Sequence, residues 1–195
     1  MSAPGVLLVI SAPSGAGKLT LLNEVRLRCA DQFVTTVSAT TRQPRTGEEH
    51  GVDYYFLDRE AFIARRDRGE FVEWAEVHGN LYGTLNEELD RCLDTGKDVI
   101  LELDVQGMKN LCHIREDVVS VFLMPPSLEE LERRLRSRGT DDDDVIALRL
   151  KNARIEIAER QAFDYIVVND KIEAAASDLE AIIRAEHCRA VRETE

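Results

Sequence analysis

Residues 11–20 read SAPSGAGKLT and lie between a short apolar stretch and the start of a helical pattern. Gly15 and Gly17 let the backbone turn with its N–H groups pointing inward, where they can cradle phosphate oxygens at a helix N-terminus. Lys18 then reaches the β- and γ-phosphates of a nucleotide. Ala12, Pro13, Ser14, Gly15, Ala16, Gly17, Lys18, Leu19 and Thr20 thus form a candidate nucleotide-binding loop. The pattern G-x-x-x-x-G-K-[ST] is broken at both ends, by Ala12 at the first Gly and by Leu19 at the Ser/Thr. Ala12 is a mild change where φ is negative. Leu19 is a larger one, because the hydroxyl it replaces ligates Mg²⁺ in such loops. Thr20 is no substitute, since successive helical residues point about 100° apart; it is better placed for an α-phosphate. Leu19 therefore supplies no metal ligand. Further along, Glu102 and Asp104 stand two apart in LELDVQG (101–107). On a strand that spacing sends both carboxylates to one face, near its carboxyl end. Carboxylates so placed can hold Mg²⁺-bound water, with Asp104 the candidate.

These groups need elements to position them. GVLLVIS (5–11) reads as a fully buried strand, and from Lys18 to Arg28 apolar residues recur at helical spacing (Leu21, Leu22, Val25). DVILELD (98–104), VVSVFL (118–123) and YIVV (165–168) read as further buried strands, with helical patterns over 127–138, 145–161 and 173–190. Alternation of this kind predicts an α/β fold, a parallel sheet covered by helices on both faces. Residues from about 35 to 90 break the alternation, being dense in Thr, Arg, Tyr, Gly and short strand-like pieces. They read as an insertion at the carboxyl edge of the sheet, where open α/β sheets bind ligands. In RLRSRGTDDDDVIALRL (134–150), clustered arginines precede four aspartates, which read as a solvated loop and a charged first helical turn.

Composition narrows the partners. With 25 Lys and Arg against 37 Asp and Glu, the net charge of −12 argues against a general electrostatic grip on nucleic acid. No apolar run approaches the roughly 20 residues that span a bilayer, and no secretory signal is visible, so neither membrane insertion nor secretion is expected. Twenty of the 25 basic residues are arginines, whose planar forks suit bidentate phosphate recognition. Cys29, Cys92, Cys112 and Cys188 lack CxxC or metal spacing and read as reduced thiols of a cytoplasmic protein. The four histidines form no triad with Ser or Cys, and the 195 residues suit one core domain with small insertions. The oligomeric state is left open.

VSATTRQPR (37–45), GEEHGVDYYF (47–56), FVEWAEVHGNLYGT (71–84), LELDVQG (101–107), RLRSRG (134–139) and VVND (167–170) together resemble the guanylate kinases, a family of nucleoside monophosphate kinases. The resemblance covers about residues 5–190 in the family's order and spacing. It implies a P-loop NTPase-type sheet with a GMP-binding region inserted at about 35–90 and a short lid at about 138–150. The rest, 1–34 and 91–195, is the core of a single domain. The implied activity is transfer of the γ-phosphoryl of ATP to GMP (dGMP with it), with ATP as co-substrate. The resemblance gives the GMP phosphate to Ser38, Arg42, Arg45, Tyr54 and Tyr82, and guanine to Glu73 and Thr84, with Ser38 joining. Glu102 and Asp104 complete the GMP site; the family usually has Asp at both, and the extra methylene of Glu102 moves its carboxylate. Arg134, Arg138 and Arg149 are implied as lid arginines over the transferring phosphoryl group, beside Lys18 and Arg42, and Asn169 as the adenine contact. Two other readings are weighed: a non-catalytic protein-binding module of this type, which Leu19 favours, and a kinase for a related phosphorylated sugar or nucleotide. Leu19 also leads to the expectation that catalysis depends on Mg²⁺ less than is usual for the family.

Overall fold

The computed structural model describes residues 5–29, 32–77, 79–137, 139 and 141–190. Strand β1 (Leu7–Ser11) leads through the Gly-rich turn into helix α1 (Lys18–Cys29), and then come β2 (Phe33–Thr35), β3 (Ala39–Thr40) and β4 (Tyr55–Phe56). Helix α2 (Arg59–Asp67), β5 (Phe71–Val77), β6 (Asn80–Leu85) and α3 (Asn86–Leu93) complete the insertion and return the chain to the core. The remainder alternates: β7 (Asp98–Glu102), α4 (Val105–Ile114), β8 (Val118–Met124), α5 (Leu128–Ser137), α6 (Asp143–Ala158) with a 3-10 turn, β9 (Tyr165–Val168) and α7 (Ile172–His187).

Five strands form a parallel sheet in the order β2-β7-β1-β8-β9. Strand alternation divides its apolar residues between two faces. Leu8 and Ile10 pack with Leu21, Leu22 and Val25 of α1 and with Ala175, Ala176 and Leu179 of α7. Leu7 and Val9 pack on the other face with Leu89 and Cys92 of α3 and Met108 and Leu111 of α4. Both faces are covered, which explains why these strands read as unbroken apolar runs. A second sheet, β4-β3-β6-β5, carries its own small core around Ala39, Phe62, Leu81 and Leu85. Leu131, Leu135, Ile146 and Ala153 join α5 to α6 in a further cluster. Asp142 caps α6 by accepting from the Val145 N–H (2.9 Å), so the aspartate run is the charged first turn its sequence suggested. Among the described residues no helix is long and apolar enough to cross a membrane.

The predicted strand over 98–104 stops at Glu102. Asp104 turns out of the sheet because its carboxylate caps α4, accepting from the Gly107 N–H at 2.7 Å. That capped helix, and helices α2 and α3 of the insertion, go beyond the sequence reading.

Candidate active site

β1 has β7 on one side and β8 on the other, so its carboxyl end is the point where the chain's path through the sheet reverses, the usual ligand crevice of such folds. The turn after it holds Gly15 and Gly17 at φ 95° and 92°, a region in which a β-carbon is strained. Ala16 is buried; its N–H donates to the Pro13 carbonyl (3.0 Å), and its own carbonyl accepts from Asn169 Nδ2 (2.8 Å) and Arg134 Nη1 (3.5 Å). A Cβ on Gly17 would stand 2.5 Å from Asn169 Nδ2, so the loop closes against this carboxamide only without one. Arg134 also donates to the Asn169 carbonyl (3.0 Å), and Arg149 Nη1 donates to Ser14 Oγ (3.1 Å). Two helices distant in sequence thus brace the turn. A groove beside it is lined by Gly15, Gly17, Thr20, Arg134 and Asn169.

A second cleft, of about 230 Å³, opens between the parallel sheet and the inserted sheet. Lys18, Ala12, Glu102, Leu103 and Asp104 line its core side, and Ser38, Tyr54, Glu73 and Tyr82 its inserted side. Lys18 Nζ lies 3.5 Å from Glu102 Oε2. Glu73 is buried (7% exposed), and its Oε1 accepts from the Thr84 hydroxyl at 3.0 Å, across the β5–β6 pairing that sets the two residues opposite each other. Tyr54 and Tyr82 meet edge-on with centroids 6.2 Å apart, and the Arg42 guanidinium lies 5.4 Å over the Tyr54 ring. Arg42 makes a bidentate pair with Glu48 (2.8 and 2.9 Å), and the Arg45 N–H donates to the same carboxylate (2.7 Å), which fixes the arginine loop. The Arg45 side chain is exposed.

Electrostatics follow from this burial. Glu73 is pushed up to about 7 by desolvation, with the Asp104 charge adding to it and the Thr84 hydroxyl opposing. Glu156, on α6, is likewise raised to about 7 by burial, with Asp104 raising and Lys18 lowering it. Burial raises the Tyr54 phenol, and the Glu102 charge adds to that.

A phosphate loop whose lysine opens onto a carboxylate-floored cleft suits phosphoryl transfer between two nucleotides. The sequence model of the guanylate kinase family matches residues 5–186. The chain belongs to the guanylate kinase family. It is 50% identical over 192 residues to the guanylate kinase of Geobacter metallireducens, covering 98% of this chain and 94% of that one. It is also 50% identical over 186 residues to that of Aromatoleum aromaticum, covering 95% and 91%. The crystal structure of guanylate kinase from Anaplasma phagocytophilum is similar to it with a TM-score of 0.79 and 41% identity, over 97% of this chain and 89% of that one.

Against this family frame, the cleft brings together Ser38, Tyr54, Glu73, Tyr82, Glu102 and Asp104, with Thr84 behind Glu73 and Arg42 above Tyr54. Arg149 meets the loop at Ser14 and pairs with Asp141 at 3.4 Å. Arg138 lies outside the described residues. Asn169, expected at adenine, donates its amide N–H to the Ala16 carbonyl. Glu48 and Glu156 escape the sequence reading. Glu48 stands six residues from Arg42 in a loop without periodicity, and Glu156 lies on a helix with no clear amphipathic pattern. A resident magnesium site does not fit these residues. Leu19 is 64% exposed and offers no oxygen, Glu102 is paired with Lys18, and Asp104 caps a helix. Among the described residues no group of three or more His, Cys, Asp or Glu is arranged to hold a metal.

Proposed function

We infer that this chain transfers the γ-phosphoryl group of ATP to GMP, and to dGMP, giving ADP and GDP. One observation carries the reading: Lys18 belongs to the phosphate loop, yet its side chain lines the cleft that contains Glu73. The donor and acceptor grooves therefore share a cation. A carboxylate offers two coplanar acceptors, which match the N1–H and exocyclic amine of guanine. Adenine has an unprotonated N1 at that edge, so lone pairs would face each other, and sites built on such pairing discriminate strongly. Arg42, Arg45, Ser38, Tyr54 and Tyr82 hold the GMP phosphate. One of its oxygens forms a bond to the γ-phosphorus as the bond to the β–γ bridging oxygen breaks, and ADP leaves with that electron pair. Lys18, Arg134, Arg138 and Arg149 neutralise the charge spread over the transferring group. Closure of the inserted region (about 35–90) and the lid (about 138–150) of a single domain excludes water. With no hydroxyl at position 19, these forks carry more of the charge, and dependence on Mg²⁺ is reduced. Four free cysteines support a cytoplasmic setting, and the acidic net charge supports small-molecule partners rather than nucleic acid. The test is chromatographic detection of ADP with ATP plus GMP, AMP, CMP or UMP. GMP alone should be turned over efficiently, and comparable turnover of AMP would refute the reading.

A further inference from the structure

Thr36 follows directly after β2 and still pairs with the parallel sheet, donating its N–H to the Ile100 carbonyl at 3.2 Å. Strand alternation sets its side chain. Thr35 registers with Ile100 on the α1 and α7 face and takes a hydrogen bond from Arg26 of α1. Thr36 is therefore turned to the opposite face, that of Leu101 and Leu103. There it lines the 230 Å³ cleft on the same wall as Lys18, Glu102 and Leu103. Its Oγ1 is buried and has no hydrogen-bond partner among the described residues. Neighbouring hydroxyls do not share this state. Thr84 donates to Glu73, Thr40 accepts from the Arg42 N–H, Thr41 accepts from the Leu81 N–H, and Ser11 donates to the Asp104 carbonyl.

A buried hydroxyl without a partner destabilises a fold, and native proteins seldom keep one without a reason. At the wall of a cleft that takes a guanine nucleotide, the reason is a partner that arrives with the ligand. Resting on the GMP-kinase reading above, we propose that Thr36 is a further GMP-binding residue, its hydroxyl exchanging a hydrogen bond with the nucleotide from the core-sheet wall. That wall stands across the cleft from Tyr54, Tyr82 and Arg42. A hydroxyl both donates and accepts, so it suits the carbonyl and amine groups of guanine as well as a ribose hydroxyl. No phosphate-type charge is needed at this position, which fits the polar but uncharged character of the residue.

The test uses the full chain and two substitutions of similar shape. Thr36→Val removes the hydroxyl and keeps the β-branch; Thr36→Ser keeps the hydroxyl and removes the methyl. Initial rates give KM for GMP and for ATP, and thermal unfolding without ligand gives Tm. Thr36→Val should raise KM for GMP about five- to tenfold, the worth of one neutral hydrogen bond, with KM for ATP unchanged. Its Tm should stay level or rise, because a methyl replaces an unpartnered oxygen. Thr36→Ser should keep KM for GMP near that of the parent. A Thr36→Val enzyme with the parent's KM for GMP overturns the proposal and leaves the kinase reading intact. So does a fall in Tm accompanied by a rise in both KM values, which marks a structural hydroxyl. A parent chain that does not phosphorylate GMP overturns both.

Discussion

A β-carbon placed on Gly107 tests whether Glu73 reads guanine. Gly107 is in the first turn of α4, and an added Cβ would lie 2.8 Å from Glu73 Oε2, 3.2 Å from Asp104 Oδ1 and 3.4 Å from Leu103 Cβ. Ordinary contact begins near 3.4 Å, so Oε2 must retreat by the difference between 3.4 and 2.8 Å, about 0.6 Å. Its other oxygen is held at 3.0 Å by Thr84, so the carboxylate rotates or slides as a unit. A 0.6 Å displacement lengthens a hydrogen bond of about 2.9 Å to about 3.5 Å, beyond the useful range. Losing one charge-assisted bond to guanine costs about 1.5–3 kcal/mol, or about 10- to 150-fold in kcat/KM for GMP. Gly107→Ala should leave KM for ATP unchanged. Because Ala is favoured over Gly inside helices by about 0.5–1 kcal/mol, Tm should hold or rise slightly. Steady-state kinetics on both substrates, with AMP as the competing acceptor, give the result. A kcat/KM for GMP within threefold of the parent would refute the reasoning, since it would mean that Glu73 has slack or does not touch the base.

The acceptor site should respond to pH in a defined direction. Glu73 is raised to about 7, and guanine needs its ionised form, so KM for GMP should rise as pH falls below 7, approaching tenfold per unit; Glu73→Gln should weaken GMP use and flatten that dependence to what the substrate's own phosphate produces. GMP-dependent ADP formation should persist in part in EDTA, and Leu19→Ser should steepen the Mg²⁺ titration; complete loss in EDTA, with an ordinary magnesium titration for the parent, would make Leu19 a neutral substitution. Gly17→Ala combines a β-carbon at φ 92° with a 2.5 Å approach to Asn169 Nδ2. It should raise KM for ATP and lower stability by about 2–4 kcal/mol, a Tm fall of roughly 4–16 °C by calorimetry; an unchanged Tm would show that the loop tolerates the contact.

The parallel sheet was legible because each of its long strands is buried on both faces and so appears as an unbroken apolar run. Leu7 to Ser11 and Val118 to Met124 lie where the sequence put them, within two residues. The inserted sheet was not, because β3 and β4 are two residues long and have no periodicity to read. Helix α3 was hidden by Glu88, a buried acid at a core-facing position. Its carboxylate is held by Arg91, the Val37 N–H and the Tyr55 hydroxyl, a network that spans three segments. The same limit applied at the site. Lys18 and the pair Glu102 and Asp104 stand out by type and spacing, and the cleft gathers them. The Arg42–Glu48 pair and the hold of Asn169 on Ala16 are tertiary contacts, and neither leaves a spacing in the sequence.

The hold on Ala16 also orders events during synthesis. The phosphate loop is made almost at once, but its carbonyl waits for Arg134 and Asn169, 118 and 153 positions later. At about 5–20 residues per second, a ribosome needs roughly 8–30 s to supply the second of them. Until then the nascent chain carries the whole SAPSGAGK motif on a turn without its Asn169 contact, beside a sheet that still lacks its last strand. The last of these braces therefore arrives late, when β9 docks at the sheet edge and brings the Asn169 carboxamide to the Ala16 carbonyl.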